Sequence, residues 1–192
     1  ATLASTPAIA DDTDPPATLI AGKPVHGTAL DPVFANFKLD RMSATFAEEK
    51  TIALLAKPLT STGTIYFDRD KGIAKLTLTP RKQAAVLTAT SLKIRKGKRT
   101  EDIPLAKSKD LKALVLVFPT LLRGEREQLE GAFTIGMYGS EDAWWALELA
   151  PKSASLRKLV RKVVVFGNKS AVVALEITEA SGDVTRTRLT AI

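Results

Sequence analysis

Gly63-Thr-Ile-Tyr-Phe-Asp-Arg-Asp-Lys-Gly-Ile-Ala-Lys-Leu-Thr-Leu-Thr-Pro80 alternates apolar and polar side chains on either side of a short charged turn. It reads as a β-hairpin. Ile65 and Phe67 fall on one face of the first strand, with Thr64 and Tyr66 on the other. After the turn Asp68 to Gly72, Leu76 and Leu78 share one face of the second strand, opposite Lys75, Thr77 and Thr79. Arg69 stands in the turn. The same two-residue period recurs elsewhere. Ser43 to Leu54 reads as a strand with Phe46, Ile52 and Leu54 on one face, a face shared with the charged Glu48 and Lys50. Trp145, Leu147 and Leu149 alternate with Trp144, Ala146 and Glu148, and Val163 and Val165 alternate with Lys162 and Val164. Ala171, Val173, Leu175 and Ile177 repeat the pattern, with hairpin turns at Gly167-Asn168 and Ser181-Gly182-Asp183. The fold class is therefore mainly β within α+β: one antiparallel sheet with helical interruptions and one buried face.

The main helical interruption lies in the middle of the chain. Leu111, Leu114, Val115, Phe118, Leu121 and Leu122 recur at helical spacing among Lys107, Lys109, Asp110, Lys112 and Arg123. Pro119 predicts a kink, or two short helices joined near Phe118, and a further turn follows over Glu125 to Glu130. A large sheet curls, so an amphipathic helix across its concave face either plugs it permanently or acts as a movable lid.

These features together resemble the LolA family of periplasmic outer-membrane lipoprotein carriers. The order Gly63, strand, Arg69 at the turn, second strand and Pro80 matches the family's first hairpin. Phe46-Ala47-Glu48 stands at the opening of its first strand, and Ala84 to Arg95 reads as the next strand pair. Lys109 to Arg123 sits where the family keeps its lid, and Phe133 to Pro151 where it keeps a strand pair ending in Leu-x-Pro. The resemblance runs from about Asn36 to the C-terminus, with Leu30 to Arg41 as the N-terminal helix. Two departures, Asp70 for a proline after the arginine and Lys75 for an aromatic residue, point to a branch with a different cargo. The resemblance implies an incomplete antiparallel β-barrel with a helical lid, working in the periplasm as a monomer without a cofactor. Lipoprotein or lipid acyl chains would be collected from an inner-membrane transporter and passed to an outer-membrane acceptor. It also implies that Arg69 bonds carbonyl groups of the lid near Leu114 to Leu122.

Composition fits one such domain. The 192 residues are 45% hydrophobic, and mean hydropathy is +0.02. No apolar run approaches the roughly 20 residues of a membrane span. Residues 1–28 are rich in Ala, Thr and Pro and lack apolar periodicity, which reads as a flexible leader before a single domain over 29–192. Ala4, Ala8 and Ala10 are of the kind found near a signal-cleavage site, and an arbitrary start reads equally well. The first 37 residues hold Lys23 against Asp11, Asp12, Asp14 and Asp31, leaving 27 basic and 17 acidic side chains in the rest. Arg95-Lys96-Gly97-Lys98-Arg99 is one basic cluster; Lys152, Arg157, Lys158, Arg161 and Lys162 form the other. Both read either as attraction to anionic head groups or an acidic partner, or as solvated edges that resist aggregation.

The inventory argues against catalysis. There is no cysteine, and the single histidine, His26, lies in the expected leader, so a positioned base and the usual zinc or copper ligands are missing. Glu48 and Glu49 alternate across a strand, Asp68 and Asp70 belong to a turn, and no glycine loop is built to cradle phosphate. Three binding functions remain. A lipid carrier would use Ile65, Phe67, Leu76, Leu78, Val86, Leu92, Trp145, Leu147, Val163 and Val165 as a half-barrel lining, closed by Leu114, Phe118 and Leu121. Each of these also reads as ordinary core. A sensor or scaffold of the same fold would bind a protein. A nucleic-acid-binding barrel is suggested by a pI near 9.7 with Tyr66, Phe67 and Trp144 on strands, but the basic clusters lie apart from Tyr66, and no nucleic-acid partner is expected.

Overall fold

The computed structural model describes residues 14–192. Eleven strands form one antiparallel sheet. They are β1 (Arg41–Thr51), β2 (Leu59–Asp68), β3 (Gly72–Thr79), β4 (Gln83–Leu87), β5 (Ser91–Lys96), β6 (Arg99–Pro104), β7 (Phe133–Gly139), β8 (Trp144–Pro151), β9 (Val160–Asn168), β10 (Ala171–Glu179) and β11 (Val184–Ala191). Their spatial order is β6-β5-β4-β3-β2-β1-β11-β10-β9-β8-β7. The sheet is thus two meanders joined where β1 pairs with β11, from Ala44 opposite Ala191 to Thr51 opposite Val184. The helices α1 (Asp31–Asn36), α2 (Lys109–Val115), α3 (Val117–Leu122), α4 (Arg126–Ala132) and α5 (Ala154–Arg157) connect or precede the strands.

Apolar side chains on one face of this sheet pack around the helices. Phe46, Ile65, Phe67, Ile73 and Leu87 bury against Leu116, Phe118 and Leu122; Trp145, Leu147, Leu149, Val163 and Val165 bury against Phe34, Phe37, Val117 and Leu121. A single short helix, α3, therefore serves strands from both meanders. In a flat sheet β5 and β9 would lie about 34 Å apart, seven strand spacings. Leu92 of β5 and Val163 of β9 nevertheless line one cavity, so the sheet curls around the helices into an incomplete barrel with β6 and β7 as its edges.

The central helix breaks at Leu116, between α2 and α3, slightly before the expected kink near Phe118. Pro119 falls in the first turn of α3, where a missing N–H costs least. The expected strand Ser43 to Leu54 ends at Thr51, and Leu54 is 95% exposed.

Residues 14–28, expected to belong to a flexible leader, lie along the sheet. Leu19 and Ile20 pack on its outer face against Ala146, Val164, Phe166 and Ala174. Val25 bridges Met137, and His26 Nδ1 lies 2.7 Å from the Ile135 carbonyl oxygen. The Asp14 carboxylate accepts a hydrogen bond from Arg188 Nε at 2.8 Å, which holds its pKa below the usual range. Residues 1–13 of the expected leader lie outside the described residues.

Trp145 anchors the β8–β9 end of the core. Its indole N–H donates to the Lys169 carbonyl at 2.7 Å, and its ring meets Phe37 edge-on at 5.6 Å. Gly167 leaves room for that ring: a Cβ there would come within 2.0 Å of Trp145 Cζ2. Gly167→Ala is expected to destabilise the fold by about 1–3 kcal/mol, the usual cost of overpacking. Urea unfolding of the two proteins, followed by Trp fluorescence, checks this.

Candidate functional site

Between the sheet and α2–α3 lies a cavity of about 490 Å³. Its floor is made by the inner faces of β2 to β5, through Ile65, Ile73, Ala85, Leu87 and Leu92. Its far wall is made by Leu159, Val163, Leu175 and Ile177, and its roof by Leu111, Leu114, Val115, Val117, Phe118 and Pro119. The volume falls within the usual range of roughly 300–1,000 Å³ for small-molecule sites.

The two roof helices are not equivalent. All six residues of α3 are buried, whereas none of the seven in α2 is. Leu111, Leu114 and Val115 are half-buried along the underside of α2. Its N-terminus is capped by Ser108 Oγ, which accepts the Leu111 N–H at 3.1 Å, and Ser153 Oγ donates to Asp110 Oδ1 at 3.3 Å across to α5. The alternatives of plug and lid are thus divided between two helices. α3 is built into the core, and α2 lies over the cavity with none of its residues fully buried.

Of the expected lining residues, Ile65, Leu92, Leu114, Phe118 and Val163 stand on the cavity wall. Phe67, Leu121, Trp145, Leu147 and Val165 are on the inner side but packed into solid core, each at most 2% exposed. Leu76, Leu78 and Val86 are a correction, for they lie on the outer face and are 37%, 53% and 41% exposed. The reason is register. Ile65 pairs with Lys75 and Phe67 with Ile73, so Ile73, Lys75 and Thr77 point inward and Leu76 outward; a bulge opposite Thr62 and Gly63, which pair with Thr79 and Thr77, leaves Leu78 unpaired between them. Ile73 and Leu87 escape a reading of the sequence for the same reason, although Leu87 directly faces Leu92 across the β4–β5 pair.

Arg69 is a second correction. Its Nε donates to Asp40 Oδ1 at 3.0 Å rather than to carbonyls of the roof helices. Antiparallel pairing of β1 with β2 sets Arg41 opposite Asp68, which puts Asp40 opposite Arg69; the Arg69 N–H also donates to the Asp40 carbonyl at 2.9 Å. The Asp68 carboxylate is occupied by the N–H groups of Asp70 and Lys71, both at 3.1 Å. Arg69 still borders a polar groove shared with Lys112, Pro119 and Arg123.

Charges on the inner face, unexpected in a closed core, form paired sites at one end of the cavity. Lys75 Nζ lies 2.5 Å from Glu48 Oε2, and Lys50 Nζ lies 2.5 Å from Glu179 Oε1. Glu48 also accepts from Thr187 Oγ1 at 2.8 Å and Ser61 Oγ at 3.4 Å. Burial alone would push the Glu48 carboxyl up, but the Lys75 ammonium and the two hydroxyls outweigh it and hold its pKa below the usual 4.5. The basic residues near α5 are engaged locally. Arg157 donates to the carbonyls of Pro151 and Lys152, and Arg161 to that of Ala180.

No helix among the described residues is long and apolar enough to cross a membrane. The geometry is that of a curled sheet with a covered apolar cavity. The chain belongs to the family described as outer membrane lipoprotein carrier protein LolA-like, whose model matches residues 28–192. Solved structures similar to this chain include a LolA superfamily protein of Nitrosomonas europaea, at 14% identity, with 85% of this chain and 90% of that one covered and a TM-score of 0.43. Another is an outer membrane lipoprotein-sorting protein domain from Vibrio parahaemolyticus, at 12% identity, 85% and 90% coverage and a TM-score of 0.41. A third is the Pseudomonas aeruginosa MucA/MucB complex, at 14% identity, 84% and 54% coverage and a TM-score of 0.42. No curated protein matches the chain.

Because the Glu48 pKa is lowered on folding, its contribution to stability is present above the ordinary glutamate value of 4.5 and is lost as pH falls below it. Glu48→Gln is expected to cost about 1–2 kcal/mol at pH 7 by leaving Lys75 without its charged partner. The difference from the parent should shrink as pH falls below 4.5, which denaturant titrations at pH 7 and at a series of lower pH values measure.

Proposed function

We propose that this chain is a periplasmic carrier that shelters a lipid acyl chain, free or attached to a lipoprotein, in the cavity beneath α2. The observation that carries this reading is the cavity itself: about 490 Å³, lined mostly by Ile, Leu, Val, Phe and Ala side chains, beneath a cover with no buried residue of its own. Transfer of about ten methylenes from water into such a space supplies roughly 8 kcal/mol, the free energy of micromolar binding. Entry requires only that α2 swing away at Leu116 while α3 stays in the core. The cover gives up half-buried contacts of Leu111, Leu114 and Val115, which an arriving acyl chain replaces. In this reading the chain performs no covalent chemistry. A donor at the inner membrane and an acceptor at the outer membrane are the partners that membership of a lipoprotein-carrier family supports.

A second reading, a protein-binding module of the same fold, has one observation in its favour. Tyr66, Leu76, Leu78 and Val86 expose apolar surface on the outer face, on the same side as Lys93 and Arg95 of β5.

The two readings are separated by the neutral probe N-phenyl-1-naphthylamine, whose fluorescence rises in apolar surroundings. The carrier is expected to enhance it at micromolar protein, and dodecanoate to compete it away. Ala85→Trp, which fills the cavity floor, should remove the enhancement, and Leu78→Glu on the outer face should leave it unchanged. Loss of probe binding in Leu78→Glu alone would move the site to the outer face and favour the protein-binding module.

A further inference from the structure

The apolar cavity wall is interrupted at one end by Lys75, Glu179 and Thr185. Lys75 is turned inward by its pairing opposite Ile65, and its ammonium lies 4.5 Å from the centre of the Phe46 ring and 2.5 Å from Glu48 Oε2. Glu48 is fixed in turn by Thr187 and Ser61. On a mostly apolar face, an ion pair is a poor choice for stability, because desolvation offsets much of the attraction and packed apolar side chains serve as well. It does hold a cation at a set position. An ammonium has three N–H donors, and Glu48 is the hydrogen-bond acceptor that Lys75 uses among the described residues. Further donors therefore remain at the cavity wall, where a wholly apolar cargo offers them nothing.

We propose that Lys75 is the polar anchor of this cavity, donating a hydrogen bond to the carbonyl oxygen at the head of an acyl chain, either a free carboxylate or an ester, whose tail lies along Ile65, Leu114 and Val163. This rests on the carrier reading above and adds to it an orientation and a head-group preference. Glu48 is a positioning residue: it keeps the ammonium at the cavity end and does not itself touch the cargo. Glu179, held 2.5 Å from Lys50 on the same wall, disfavours heads with more than one negative charge. A carboxyl or ester head suits the site better than a phosphate dianion.

The test is competition against N-phenyl-1-naphthylamine by three ligands with the same tail: dodecanoate, methyl dodecanoate and dodecyltrimethylammonium. The intact protein should rank dodecanoate first, the ester second and the cation last, with about tenfold between the extremes, as a charge-assisted hydrogen bond supplies. The ester's place relative to dodecanoate separates a lipid-linked acyl group from a free acid as the preferred source. The double substitution Glu48→Gln with Lys75→Met removes both charges without stranding either, and the amide carbonyl introduced at position 48 can still accept from Thr187. It should bring the three ligands together, whereas Lys75→Arg should preserve the order. A wild-type protein that binds the probe and all three ligands equally, or a double variant that keeps the ranking, overturns the anchor and leaves the carrier standing. If neither probe nor any ligand binds the wild type, the carrier reading itself fails.

Discussion

Everything in this molecule depends on the pairing of β1 with β11. It joins residues near position 44 to residues near position 191, so the chain closes its longest loop to make it. Without it there are two separate meanders, each with one apolar face and no partner for it. With it, the inner faces become continuous, and the sheet can curl far enough for α3 to be buried by both halves. The same pairing sets Glu48 opposite Thr187 and Lys50 opposite Thr185, so the polar end of the cavity lies on the seam.

Much of this is legible in the sequence, because alternation in a half-buried strand is a local signal. Phe46, Ile65, Trp145, Leu147, Val163 and Val165 announce their inward direction within their own strands. The β3 strand does not, since both of its faces carry apolar groups: Ile73 on one, Leu76 and Leu78 on the other. Only its register with β2 shows that Lys75 faces the cavity, and register is set by a partner strand and a bulge. Arg69 is hidden for a similar reason. Its nearest carboxylate in sequence belongs to its own turn, but the antiparallel partner strand delivers Asp40. Residues 14–28 carry no periodic signal because they follow the outer face as irregular chain, held by single side chains such as Leu19 and Ile20.

Division of the central helix into α2 and α3 separates its buried half from its half-exposed one. A helix buried all round would fill the barrel, and one buried nowhere would leave it open to water. Here the proline-bearing half supplies the buried Phe118, Leu121 and Leu122, and the lysine-rich half lies over the remaining space with only its underside half-buried. Trp145, Leu147 and Val165, which read as cavity lining, are packed into the filled end of the core instead.

On the carrier reading an acyl chain enters between α2 and the inner face of the sheet. Methyl NMR on Ile, Leu and Val side chains during titration with dodecanoate reports where the chain lies. Large shifts are expected for Ile65, Ile73, Leu114, Val163 and Ile177, with Leu78 and Val86 on the outer face unmoved. Shifts confined to Leu76, Leu78 and Val86, with the inner-face methyls unchanged, would contradict it.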